Sequence, residues 1–291
     1  MTKIKPTEQT LCDIAMAVLS TADPWQKAQL TRQAYADWQT QSQPKLGQAK
    51  PDLRPARSPK PELLPPNQMP KRGKAGSKRN KISLLHALAH IELNAIDLAW
   101  DIVARYAEMH EDLVTDDRFS LPMAFFTDWA QVADDEAKHF LMLSDRLQDL
   151  DANYGDLPAH DGLWEAAEKT ADDFAGRLAI VPMVLEARGL DVTPQMIEMM
   201  ERQEDHKTAE MLKIIHDDEI THVRAGTVWF KAYCAHHHLT IDKAWQQLVV
   251  KYFNGLLKPP FNHPSRAKAE MIRDWYEDLS DILIEQHQKP R

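Results

Sequence analysis

Cysteine is scarce in this sequence: 291 residues include only Cys12 and Cys234, which lie far apart. Two distant cysteines exclude a disulfide framework and a cysteine-based zinc or iron–sulfur site. No apolar run approaches the roughly 18 residues of a membrane span, and the start, Met-Thr-Lys-Ile-Lys-Pro, lacks the apolar core of a signal peptide. These absences predict a soluble protein in the reducing cytoplasm, without a membrane partner.

Glycine is also rare, with nine residues against 43% hydrophobic residues, which favours helices. The net charge of -9 is unevenly distributed. Residues 1–82 hold 15 Lys and Arg against 6 Asp and Glu, whereas the rest hold 20 against 38. The acidic part is therefore not a nucleic-acid surface, although the basic part has the charge for one.

The basic part contains a proline-rich segment. Residues 41–80 carry 8 of the 18 prolines, which excludes a long helix or a central strand and predicts an extended arm or linker. Basic runs at 71–74 and 78–81 invite a nucleic-acid interpretation. No aromatic residue lies between them, so we favour an arm that lies against the acidic core.

Four long amphipathic helices are predicted, at about 82–110, 120–150, 162–188 and 205–237. Each places at least one carboxylate on its apolar stripe, where an acid must be paired, protonated or bound to metal. In chain order the residues are Glu92; Glu136 and His139; Glu186; Glu219 and His222. Positions i and i+3 of a helix share a face, so each Glu-x-x-His pair can bind one metal ion.

The two motifs read almost alike, Asp134-Asp135-Glu136-x-x-His139 and Asp217-Asp218-Glu219-x-x-His222. With 17 glutamates and 13 histidines, chance gives about 0.8 Glu-x-x-His match, so one would carry no weight. Two matches are much less probable by chance, because both are preceded by Asp-Asp. Each also follows a helix that has a single glutamate on its apolar stripe. The competing interpretation is a plain helical bundle whose inward acids and histidines hydrogen-bond one another.

One Glu from each of two helices and a Glu-x-x-His from each of the other two is the ligand set of a ferritin-like bundle with two metal ions. Four carboxylates and two imidazoles suit iron, with manganese or a mixed iron/manganese pair as alternatives. Zinc could bind the same ligands. Glu136 and Glu219 are expected to bridge the ions, and Glu92 and Glu186 to be terminal ligands.

Three further residues are candidates for supporting roles. Asp135 and Asp218 could each accept a hydrogen bond from the ring N–H of a liganding histidine that does not face the metal, which would fix the orientation of the ring. His216 lies one turn before Glu219, where it could be a seventh ligand or a proton shuttle, although a hydrogen-bonded neighbour is the commoner case. No catalytic residue is assigned beyond this.

The remaining segments complete a predicted division of the chain. Residues 7–20 and 25–38 predict a helical hairpin, and 242–253 and 265–286 predict two C-terminal helices that cover the bundle. Pro182 predicts a kink before Glu186, and Gly189 and Thr193-Pro194 predict a break. The predicted domains are a hairpin (1–40), the arm (41–81), the bundle (82–240) and C-terminal helices (241–291).

Several stretches carry a family resemblance: Leu85–Ala99, Asp134–His139, Leu185–Pro194, Asp217–His222 and Leu257–Asn262. Through them the chain resembles the ferritin-like superfamily, and specifically the bacterial domain of unknown function 455 family. The resemblance implies an all-α, ferritin-like four-helix bundle with a di-iron-type site. Oxygen-activating relatives often have Arg before the motif histidine, where this chain has Lys138 and Thr221.

Relatives in that superfamily include ferroxidases, desaturases, oxygenases and a tRNA-modifying hydroxylase, so the resemblance leaves the substrate open. We expect first an enzyme that uses O2 and an electron donor to oxidise a small organic or nucleoside-type substrate. The second expectation is a ferroxidase or iron-binding protein, and the third a non-catalytic scaffold with an RNA- or partner-docking arm. A homo-oligomer remains open.

Overall fold

The computed structural model describes residues 9–69 and 76–288, and these residues are helical apart from loops and two isolated β-bridges. The all-α class is therefore confirmed for the described residues. Residue contacts divide the chain into two units, Met1–Glu165 and Ala166–Arg291. The four-helix bundle and the predicted domain boundaries stay predictions.

Unit 1 begins with the predicted helical hairpin, formed by α1 (Leu11–Leu19) and α2 (Pro24–Gln39). Thr10 starts α1 in a reciprocal capping arrangement with Asp13, and the Asp23 side chain accepts the Gln26 N–H at the start of α2. Such caps satisfy N–H groups that have no partner within a helix. Caps from the local sequence therefore help to set both helix starts.

The core of unit 1 is a pair of long helices, α3 (Lys78–Arg105) and α4 (Met123–Gln148), which pack against each other. Two 3-10 turns, Pro66–Gln68 and Ala107–Met109, precede and follow α3. By length and composition α3 could cross a membrane, but 67% of its most apolar 18-residue stretch is buried inside the protein. That burial is consistent with a core helix of a soluble protein.

The proline-rich arm runs along unit 1 where the structure describes it. The N–H groups of Leu11 and Cys12 bond to the carbonyls of Lys45 and Leu46, and the N–H of Leu64 bonds to the carbonyl of Ala159. Arg57 pairs with the buried Asp97 of α3. These contacts agree with an arm lying against an acidic core; the basic run at 71–74 falls outside the described residues.

The predicted third helix at 162–188 is wrong as one element. The structure has α5 (Gly162–Lys169), a break at 170–173, and α6 (Phe174–Ile180). The break arises because the Asp173 side chain accepts the Gly176 N–H and starts a new helix. The disturbance predicted at Pro182 takes the form of a π-helical turn, Val181–Glu186.

The break predicted at Gly189 and Pro194 is also wrong, since α7 (Ala187–Arg202) runs through both residues. Pro194 lacks the N–H that would bond the carbonyl of Leu190. The side-chain amide of Asn262 donates to that carbonyl instead, at 3.1 Å. A distant residue therefore offsets the cost of a proline inside the helix.

Unit 2 continues with α8 (His206–His236) and α9 (Ile241–Tyr252), close to the predicted bounds. The last predicted helix, 265–286, is instead α10 (His263–Lys268) and α11 (Arg273–Gln288). Between them Glu270 adopts a positive φ of 60°. Its carboxylate binds Arg224 and Lys231 of α8, which holds the turn in place.

Candidate metal centre

Unit 1 brings together one glutamate of α3 and the Glu-x-x-His motif of α4. Glu136 and His139 lie one turn apart on α4, and α4 packs against α3, which carries Glu92. Glu136 and His139 are 0% exposed and Glu92 is 3% exposed. Three of the six ligands expected from the sequence therefore meet in a buried site within unit 1.

The ring of His139 faces both carboxylates. Its Nδ1 atom lies 3.3 Å from Glu92 Oε2 and 3.4 Å from Glu136 Oε2. One ligand atom from each of the three residues lies within 4.8 Å of the others. An ion bound at about 2.0–2.2 Å separates neighbouring N and O ligands by roughly 3.0–3.5 Å. The set could therefore hold a metal ion, and the geometry leaves the identity of the metal open.

The electrostatics of the three residues also suit a cation. Burial, and next the negative charge of Glu136, raise the pKa of Glu92 well above its usual range, while His139 opposes this shift. Two buried acids side by side are costly unless a proton or a cation neutralises them. A divalent cation would favour the ionised carboxylates and reverse the shift of the Glu92 pKa.

Unit 2 holds the other three predicted ligands. Glu219 and His222 are 8% and 1% exposed on α8, and His222 Nδ1 lies 3.7 Å from Glu219 Oε1. Glu186 is half-buried at the end of the π turn, whose segment packs against α8. Each unit therefore contains one lone glutamate and one Glu-x-x-His motif on elements that pack against each other.

The acids that precede each motif glutamate differ in their contacts. Asp134 forms an ion pair with Arg32 of α2, and Asp135 accepts hydrogen bonds from Gln131 and Lys138. Thr221 donates its hydroxyl hydrogen to the backbone carbonyl of Asp218. The proposed contact of Asp135 and Asp218 with the motif histidines stays a prediction.

His216 has a hydrogen-bond partner in unit 2. Its Nε2 atom lies 3.3 Å from the hydroxyl oxygen of Ser265, and its side chain is 13% exposed. This matches the commoner case considered from the sequence, a hydrogen-bonded neighbour. Roles as a seventh ligand or a proton shuttle stay predictions.

Sequence reasoning did not identify a buried polar network on the opposite face of α3, formed by His86, His90, Asp97 and Asp101. All four are at most 8% exposed. His90 Nδ1 lies 2.8 Å from the hydroxyl oxygen of Tyr154. The spacing of these residues is itself a helical stripe, a signal that could have indicated a second buried face.

Cations from elsewhere in unit 1 neutralise the acids of this network. Asp97 binds Lys27 of α2 at 2.5 Å and Arg57 of the arm at 2.9 Å. Arg105 donates three hydrogen bonds to the Asp101 carboxylate one turn away. The network therefore attaches the N-terminal hairpin and the arm to α3, and it leaves the Glu92 face of the helix for the candidate metal site.

The chain belongs to the family described as "Protein of unknown function (DUF455)", whose match covers residues 20–277. An uncharacterized protein of Haemophilus influenzae is 35% identical over 273 residues, which cover 91% of this chain and 93% of that protein. No solved structure matches the chain. All six candidate ligands fall inside the family match.

Proposed function

We propose that the chain is a cytoplasmic di-metal carboxylate protein of the ferritin-like type, holding two metal ions through Glu92, Glu136, His139, Glu186, Glu219 and His222. Iron is the expected metal, with manganese or a mixed pair as the alternative. Its activity would be the O2-dependent oxidation of a small organic or nucleoside-type substrate.

The observation that carries the proposal is the buried arrangement of Glu92, Glu136 and His139. A single Nδ1 atom at 3.3 and 3.4 Å from two carboxylates has the spacing of ligands around one ion. Unit 2 repeats the same residue types in the same chain order. Four carboxylates neutralise two divalent cations, so two neutral histidines complete a balanced set.

The residues of the chain would bind and orient the ions. Complete burial of Glu136 and His139 excludes bulk water, so their charges are little screened. A reduced pair of irons would supply electrons for O2 reduction. The one-turn spacing of each Glu-x-x-His pair would fix both its ligands from a single rigid helix.

Metal analysis tests the proposal. The purified full chain, freed of metal and reconstituted with Fe(II) without oxygen, should hold about two irons after desalting. Glu136→Gln and Glu219→Gln should each lower that number, because each removes a charged ligand from a different unit. Glu210→Gln, an exposed position on α8, is the matched control and should retain two. Fewer than one iron in the unaltered chain would contradict the proposal.

Iron handling is the second candidate, because the same ligand set would serve a ferroxidase without an organic substrate. Oxygen-electrode measurements separate the two. Sustained O2 uptake with Fe(II) alone, unchanged by reductants and small organic compounds, would favour iron handling. Uptake that needs an organic compound would favour the enzyme.

Docking of RNA or an acidic partner by the arm is less well supported. Three of the arm's cations are already engaged within unit 1: Arg54 with Asp161, Arg57 with Asp97, and Lys78 with Asp151. Salt-dependent RNA retention that is lost on deleting residues 41–81 would revive this function.

A further inference from the structure

The π turn of unit 2 lies immediately before Glu186. It spans Val181–Glu186, and its second residue, Pro182, has no N–H to bond the carbonyl of Leu178 as a regular helix requires. A π turn contains an additional residue compared with an α-helical turn. Because each residue of an α-helix turns the chain by about 100°, the inserted residue changes the direction in which later side chains point.

A glycine on α8 makes room for the proline ring. A Cβ atom added to Gly226 would lie 2.3 Å from Cγ and 2.5 Å from Cβ of Pro182. Non-bonded carbon atoms prefer separations of about 3.5–4.0 Å. Gly226 is buried inside a long helix, where glycine costs roughly 1 kcal/mol relative to alanine. The close contact with Pro182 accounts for a residue that helix propensity disfavours.

This contact sets the register between the two elements that carry the ligands of unit 2. The helices α7 and α8 are joined by three residues, so they run antiparallel. Gly226 follows His222 by four residues, and Pro182 precedes Glu186 by four. One turn away from the Pro182 contact, Glu186 is therefore at the level of His222. Glu219 is one further turn along the same face of α8.

We propose that Pro182 and Gly226 are positioning residues that hold the π turn against α8 and so direct Glu186 toward the ligands on that helix. The inference rests on the proposed function, because it concerns how one of the six ligands is placed. The proline removes the hydrogen bond that a regular turn would make to the Leu178 carbonyl, and the glycine lets the π turn approach α8 closely. Neither residue offers a ligand atom of its own.

Titration of the metal-free full chain with Co(II) tests the inference, because its visible spectrum reports coordination as well as stoichiometry. The unaltered chain should bind two Co(II). Gly226→Ala should bind one, or bind the second at least about tenfold more weakly, as expected when the support of a ligand is lost. Glu186→Gln removes the ligand itself, so its loss of Co(II) affinity is the reference with which the loss in Gly226→Ala is compared.

Gly189→Ala is the matched control, because a Cβ at Gly189 would meet nothing within 4 Å. It should bind two Co(II) with unchanged affinity. Pro182→Ala restores the N–H that a regular turn needs, so it should weaken the second site as well. Both Gly226→Ala and Pro182→Ala should also change the visible spectrum of the weakened Co(II) site, which a loss of stability alone would not change.

The outcomes separate the inference from the proposed function. An unaltered chain that binds no Co(II) refutes both. An unaltered chain and a folded Gly226→Ala variant that both bind two ions with equal affinity overturn the positioning role alone. If Gly226→Ala does not fold, Pro182→Ala carries the test. It restores the N–H without adding bulk, and unchanged binding of two ions by that variant overturns the inference.

Discussion

Asn262 donates its side-chain amide hydrogen to the carbonyl oxygen of Leu190 at 3.1 Å, and this is the carbonyl that Pro194 leaves without its helical partner. The same asparagine donates its backbone N–H to Asp191 and caps α10 by accepting the Ser265 N–H. A loop residue thereby fixes the loop to the helix. The combination explains why α7 continues where its sequence predicts a break.

We expect Asn262→Ala to lower the free energy of unfolding by about 1–3 kcal/mol, because it leaves the Leu190 carbonyl without the amide and removes a helix cap. Urea denaturation measures the effect. A Pro194→Ala background restores an N–H that can bond Leu190, so the same Asn262 substitution should cost less there. The helix cap is lost in both backgrounds. The difference between the two changes in unfolding free energy therefore measures the contribution of the hydrogen bond to the Leu190 carbonyl. Equal costs in the two backgrounds would contradict this explanation.

The buried ion pair between Lys27 and Asp97 gives a second prediction. Burial lowers the pKa of Lys27, and Asp97 opposes this shift from 2.5 Å away. Asp97→Asn leaves a cation buried without its counter-charge, so the free energy of unfolding should fall by about 3–5 kcal/mol. Lys27→Met should cost less, because Arg57 still pairs with Asp97.

The exposed ion pair between Lys78 and Asp151 is the control for this comparison. Both side chains are more than half exposed, so Lys78→Met should leave the urea midpoint unchanged. The prediction fails if Asp97→Asn proves no more costly than Lys27→Met, or if the exposed pair matters as much as the buried one.

A third prediction concerns the stability of the protein at acidic pH. His86 Nε2 accepts the Gly155 N–H at 2.9 Å, and burial lowers the pKa of His86 to about 4. An unfolded histidine titrates near 6.5, so between those values the unfolded state binds the proton more readily. Stability should therefore fall as the pH decreases from about 6.5 to about 4, with this one residue contributing up to about 3 kcal/mol.

His86→Gln separates this contribution from those of other groups. Glutamine can keep an acceptor oxygen near Gly155 but does not titrate, so the variant should lose less stability between pH 7 and pH 4.5. Urea denaturation at three pH values measures the difference. Parallel losses in the variant and the unaltered chain would refute the role of His86.

The sequence predicted the elements whose signals are local. The start of α2 follows from its cap, Asp23, and the buried positions of Glu92, Glu136 and His139 follow from periodicity. The failures involve partners distant in sequence, such as Asn262 for the helix through Pro194. Likewise, the burial of the polar stripe around Asp97 was not predicted, because its partners Lys27 and Arg57 lie some 70 and 40 residues away in the chain.

The last prediction is that Glu92→Gln changes stability in opposite directions with and without metal. Without metal, Glu92 and Glu136 place two carboxyl groups in one buried site, so neutralising one should raise the free energy of unfolding by about 1–3 kcal/mol. Mn(II) at 100 times its dissociation constant should stabilise the unaltered chain by about 2.7 kcal/mol. The variant should gain far less, because it lacks one charged ligand. Thermal unfolding of both proteins, with Glu210→Gln as the exposed control, measures these changes.

If Glu92→Gln destabilises the metal-free chain and leaves the response to Mn(II) intact, Glu92 is a structural acid and not a ligand.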